Sequence, residues 1–110
     1  MTSNQKIKSA LDFGIPCVPD VYTGEAKEYI TFNYNSVPED FGDDAPGHEL
    51  HLIQVHYFCP LGHNSLARRK SIKQKLFSAG LTWPDETNAS DKNGQHYVFE
   101  CEDAEGVELE

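Results

Sequence analysis

Apolar residues fall at two spacings along this chain, and the spacings predict its elements. Between Ser3 and Phe13, Ile7, Ala10 and Leu11 recur at three- and four-residue intervals, the mark of an amphipathic helix. Thr2, Ser3 or Asn4 can cap it, Gly14 ends it and Pro16 prevents its resumption. Cys17 to Tyr22 reads as extended, although Pro19 confines it to an edge or an interrupted strand. After a turn at Thr23-Gly24-Glu25 the segment EYITFNYN alternates, with Ile30, Phe32 and Tyr34 on one side and Tyr29, Thr31 and Asn33 on the other. The two segments between Cys17 and Asn35 are therefore expected to pair as a hairpin. Ser36 to Gly47 loses all periodicity, with two prolines, two glycines and the acids Glu39, Asp40, Asp43 and Asp44, and is expected to be a loop. A structureless loop of that length in a small domain is commonly functional.

Leu50 to Cys59 is the second strong strand. Ile53, Val55 and Tyr57 share one face, and Leu52, Gln54, His56 and Phe58 the other, so both faces carry apolar groups. Pro60-Leu61-Gly62 turns the chain, and His63, Asn64 or Ser65 can cap the helix that follows. Its predicted buried stripe is Leu66, Ile72, Leu76 and Ala79, with Phe77 alongside, and Gly80 closes it. Leu81 to Pro84 leaves the helix extended, Thr87 to Gly94 is polar and turn-rich, and HYVFEC is a last strand. Residues 1–103 are thus read as a single α+β domain, with a small mixed or antiparallel sheet of about four strands and two helices packed on one face. The acidic stretch 104–110 is expected to be disordered, and Leu109-Glu110 reads as a cloning scar.

Charge changes the picture more than composition does. The net charge is −9, yet Arg68, Arg69, Lys70, Lys73 and Lys75 cluster within the second helix. The rest of the chain holds four cations against eighteen carboxylates, hence −14. Such a body repels nucleic acid at long range, which disfavours a general DNA-binding role, and no sequence-specific nucleic-acid partner is expected. No run reaches the eighteen apolar residues of a membrane span, and the N-terminus lacks the apolar core of a signal peptide, so the protein is expected to act in the cytoplasm.

Candidate chemistry is sparse. His48, His51, His56, Cys59 and His63 crowd together, but His51 and His56 fall on opposite faces of the predicted strand, and Cys59-x3-His63 lacks a second paired motif. Scattered surface histidines beside one core cysteine account for the set without a metal. Cys17, Cys59 and Cys101 show no CxxC spacing and read as reduced, buried thiols. A nucleophile built from Cys59 or Cys101 with His56, His63 or His96 has no local signature, and no phosphate loop or dinucleotide fingerprint is present. The chain reads as a non-enzyme without a cofactor. Arg68, Arg69, Lys73 and Lys75 cannot all lie on the buried stripe, so several are expected to project outward together, with Arg68, Arg69 and Lys73 as the candidate interface. With the acidic loop at Asp40, Asp43 and Asp44 they supply what a head-to-tail contact between copies needs.

The ordered segments FGIPC, YTGEAKEYITFNYN, LIQVHYFCPLG, RRKSIKQKLFSAGLTW and HYVFEC resemble those of the tail-completion (tail-terminator) proteins of long-tailed bacteriophages and of Gram-positive prophages. The likeness runs from about Ile7 to Cys101. It implies an α+β fold that assembles as a ring, a hexamer in that family, on the end of the tail tube. There it stops polymerisation and meets the head connector proteins, with no catalytic residues. It also implies residence in the host cytoplasm during assembly and then in the virion tail. Ile30, Phe32, Val55, Phe58, Leu76 and Phe99 are the expected core. The histidines and the cysteine before Pro60 depart from the family pattern. Alternative readings are a head-side connector protein, which also forms rings, and an acidic inhibitor that mimics nucleic acid.

Overall fold

Five strands and two helices form a single mixed sheet with both helices against one face. A computed structural model describes residues 2–42 and 45–103, with backbone alone for those of residues 38–49 that it covers. In chain order the elements are α1 (Ser3–Ala10), β1 (Cys17–Pro19), β2 (Tyr29–Gly42), β3 (Ala45–Cys59), α2 (Leu66–Ser78), β4 (Asp85–Asn88) and β5 (Gln95–Asp103). The strands lie in the order β1-β2-β3-β5-β4. The α+β class agrees with the sequence reading; the sheet has five strands rather than about four. No helix among the described residues is long and apolar enough to cross a membrane.

Alternation sets the layers. Ile30 and Phe32 of β2, Ile53, Val55 and Tyr57 of β3, and Tyr97 and Phe99 of β5 are buried on one face, where Ile7, Leu11, Ile72 and Leu76 from the helices meet them. Phe58, expected in the core, instead lies half-buried on the opposite face, because it is one residue out of phase with Tyr57. Helix α1 opens with a capping box: Gln5 N donates to Thr2 Oγ1 at 3.1 Å, and Thr2 N donates to Gln5 Oε1 at 2.9 Å. At the end of α2, Gly80 takes φ +97°, which an L side chain resists, and its N–H donates to the Phe77 carbonyl at 3.1 Å.

Three expectations are corrected. The segment from Cys17 is not the first arm of a hairpin, since β1 pairs parallel to β2 with Cys17 opposite Ile30 and Pro19 opposite Phe32. A strand this short is returned by residues 20–28 alone, without a helical crossover. Thr87 and Asn88, read as the start of a turn-rich region, belong to an edge strand on β5, Asp85–Asn88. Within Ser36 to Gly47, read as a loop, residues 36–42 and 45–47 are strand: β2 and β3 continue as a ladder through Val37↔Leu50 to Gly42↔Ala45, and Asp43 and Asp44 lie outside the described residues. That ladder outruns its neighbours, because β5 ends opposite His51 and β1 ends opposite Phe32. Residues 37–42 and 45–50 therefore form a two-stranded arm of roughly 20 Å.

Candidate functional site

The basic helix faces inward more than its composition suggests. Arg69 and Lys73 both grip Glu86 of β4, Arg69 Nε at 2.6 Å and Lys73 Nζ at 2.7 Å, while the Arg69 guanidinium lies 4.1 Å from the centre of the Tyr97 ring. Arg68 covers the Phe13 ring at 4.6 Å and stands 3.6 Å from Glu28. These three candidate interface cations are thus partnered within the chain: Arg69 and Lys73 clamp α2 to the edge strand β4, and Arg68 ties it to the segments that follow α1 and precede β2. Lys70 and Lys75, with Lys8 on α1, are the exposed helix-layer lysines that form no ion pair among the described residues. Of the acidic group proposed as their counterpart, Asp43 and Asp44 lie outside the described residues, and Asp40 is described as backbone of β2 only.

Burial pushes the Glu86 carboxyl up, but Lys73 and Arg69 outweigh it and hold the group below the usual carboxylate range. The Glu86→Gln change is expected to cost about 1–2 kcal/mol at neutral pH, a charge-assisted network discounted for partial exposure. A carboxylate with a depressed folded pKa stabilises the fold above its unfolded value of about 4.3, and this stabilisation fades as pH falls through the folded value. Urea melts of both proteins should therefore differ at pH 7 and converge below about pH 4.

The histidines divide among separate settings. His51, read as a surface residue, is fully buried. Its Nδ1 lies 2.5 Å from Ser3 Oγ, which donates its single proton to Asp103 Oδ2 at 2.9 Å. The Nδ1 of His51 therefore carries the proton of that contact. Lys6 Nζ closes the group on the two Asp103 oxygens at 3.1 and 3.0 Å, and the Tyr34 ring stacks on His51 at 4.4 Å. Serine, histidine and aspartate meet here without the form of a catalytic triad. The serine lies between the other two, and Ser3, His51 and Asp103 are each 1% exposed or less, so no substrate reaches the hydroxyl. The cluster is a polar rivet joining α1, β3 and the end of β5. No local sequence signal marks it, because its members come from both ends and the middle of the chain.

His56 and His96 lie on the opposite face, with His56 Nδ1 2.8 Å from His96 Nε2, which requires one ring to donate and the other to accept. Burial holds both below the usual imidazole range; a charge on His96 lowers His56 further, while Glu100 beside His56 and Asp91 beside His96 partly offset the shift. His63 is 3.6 Å from Glu28, whose carboxylate also accepts from the Tyr57 hydroxyl. His48 has no described side chain. Among the described residues no three His, Cys, Asp or Glu side chains converge as metal ligands. The thiols are poor nucleophiles: burial pushes Cys17 up to about 11 and Cys101 up to about 12, and raises Cys59 as well.

The sheet face away from the helices carries the least expected arrangement. Rings of Tyr22, Tyr29, Phe58 and His96 follow one another across it with centroids 4.6, 4.7 and 4.2 Å apart. Tyr29, Phe58 and His96 floor a cleft of about 510 Å³ walled by Lys27, Leu61 and Asn93. Farther along β5, Glu100 and Glu102 share this face with Asp85, which registers with Glu100. Trp83 and Leu52 border them, 53% and 39% exposed. Sequence alternation had placed Phe58 and Leu52 on this side; the pairing of Tyr29 and His96 with Phe58 came only with the strand register. Comparison with known proteins finds no family model that matches the chain and no curated protein that matches it.

Proposed function

We propose that the chain is a structural assembly protein of a long-tailed phage or prophage, closing as a ring on the end of the tail tube and forming the surface that joins tail to head. The observation that carries this reading is the β2–β3 arm. A two-stranded ribbon is marginal in water on its own, and along residues 37–42 and 45–50 both of its outer edges lack a strand partner among the described residues. An element of this kind is useful where another surface completes it, and a second protein subunit is such a surface. The inertness of the thiols and the closure of the Ser3–His51–Asp103 group support an assembly role over a hydrolytic one. The family resemblance of the ordered segments supplies the tail as the place of assembly.

The test is phage assembly without this gene, followed by electron microscopy. Overlong, headless tails are expected. Filled heads that leak while the tails keep normal length would instead indicate a head-side connector ring, and normal virions would overturn the reading.

A further inference from the structure

The helix-free face of the sheet and the outer surface of the helix layer carry opposite charge. On the sheet face Asp85, Glu100 and Glu102 are exposed and form no ion pair among the described residues. Across the helix layer the corresponding exposed groups are Lys8, Lys70 and Lys75. The apolar groups match as well. Helix α2 exposes a line of Leu66, Lys70, Gln74 and Phe77, at i, i+4, i+8 and i+11, with Leu66 60% and Phe77 55% exposed. Both had been expected in or beside the buried stripe, which Ile72 and Leu76 fill without them.

This line is apolar at both ends and charged between them over about 16 Å, at 1.5 Å per residue. The sheet face repeats the order. Phe58 and His96 form one row, His56, Val98 and Thr87 the next, Gln54, Glu100 and Asp85 the third, and Leu52 with Glu102 the last, beside Trp83. From Phe58 to Leu52 along β3 is about 20 Å at roughly 3.4 Å per residue. The two lines are comparable in length and opposite in charge, and each has apolar groups at its ends, Phe77 standing edge-on to Trp83 of its own chain at 5.5 Å.

We infer that the helix-free sheet face is covered in the assembled protein by the outward line of α2 from a second copy of this chain. The inference rests on the assembly reading above and names the two surfaces that meet. Because they are different surfaces of one molecule, the contact is heterologous, and repetition closes a ring or runs on as a filament. A nucleic acid does not suit the same face, since its phosphates would meet three carboxylates.

Charge reversal tests the contact in the full chain. Glu100→Lys sets two positive charges against each other at the matching position, and Lys70→Glu sets two negative charges there, while the remaining groups of each surface keep their sign. Each single variant is expected to weaken association roughly tenfold or more, read by light scattering on a sizing column at low salt. An equimolar mixture of the two should recover the wild-type size, because each surface again meets its opposite. Both positions are exposed, so the variants are expected to fold, which circular dichroism checks. A wild-type chain that stays monomeric at low salt overturns the contact, as do single variants of unchanged size or a mixture that fails to recover. Variants of unchanged size alongside headless tails in the gene deletion would reject this contact and leave the assembly reading standing. Unchanged variants alongside normal virions would reject both.

Discussion

Replacing Asp103 with alanine is expected to destabilise the fold by about 3 kcal/mol, the lower part of the range for breaking a buried ion pair. The Asp103 carboxylate is 1% exposed and takes two hydrogen bonds from the Lys6 ammonium, itself 14% exposed, and one from the Ser3 hydroxyl. Removing it leaves a poorly solvated ammonium against the buried Ser3 and His51. Lys6 retains some access to water, which is why the lower end of the range applies. For a domain of this size the loss corresponds to a fall in Tm of roughly 12 °C or more. Lys6→Met should also destabilise, and combining it with Asp103→Asn should cost less than the two separate losses together, since contacting sites do not add. Thermal and urea melts of the four proteins measure the coupling. A loss below about 1 kcal/mol for Asp103→Ala would mean that the cluster does not hold α1 to the sheet.

The second large effect concerns the arm. Residues 38–49 can be replaced by Asn-Gly joining Val37 to Leu50, which are register partners and suit a two-residue type I′ turn. The described core lies elsewhere: Ile30 and Phe32 precede the excision, and Ile53, Val55 and Tyr57 follow it. The shortened chain is therefore expected to keep its melting temperature within a few degrees and to lose tube capping altogether. Capping is scored by adding purified chain to polymerising tail-tube protein and imaging the tube ends. Shortened chain that caps as well as the wild type would remove the arm from the assembly surface.

How much of this was legible in the sequence depended on whether one face of an element had to be buried. Ile30 and Phe32, Ile53 to Tyr57, and Tyr97 to Cys101 alternate because a helix layer lies over one side of them, and that alternation is readable. The arm runs beyond the last strand partner, where no core imposes alternation, so its prolines, glycines and acids read as a loop. Strand β4 was hidden for a related reason. It is a short polar edge strand whose inward residue, Glu86, meets two cations rather than the apolar core. That same pairing drew Arg69 and Lys73 away from the outward face assigned to them, and nothing near them in sequence announces it. The polar rivet was equally hidden, because Ser3, His51 and Asp103 meet only once the sheet exists.

Leu66 and Phe77 show the limit of helical periodicity. Both follow an apolar rhythm, yet Ile72 and Leu76 already fill the space beneath α2. The surplus apolar groups face outward, Leu66 60% and Phe77 55% exposed, and Phe77 meets the edge of the Trp83 ring rather than the core. A residue's hydrophobic character says that it prefers cover; it does not say whether its own chain or another provides it.

Tail-tube assembly in the presence of the wild-type chain tests the central claim most directly. Tubes grown from purified tube protein with the chain present should be shorter than tubes grown without it, and a ring should be visible on one end of each. Tubes of unchanged length with bare ends would contradict the account.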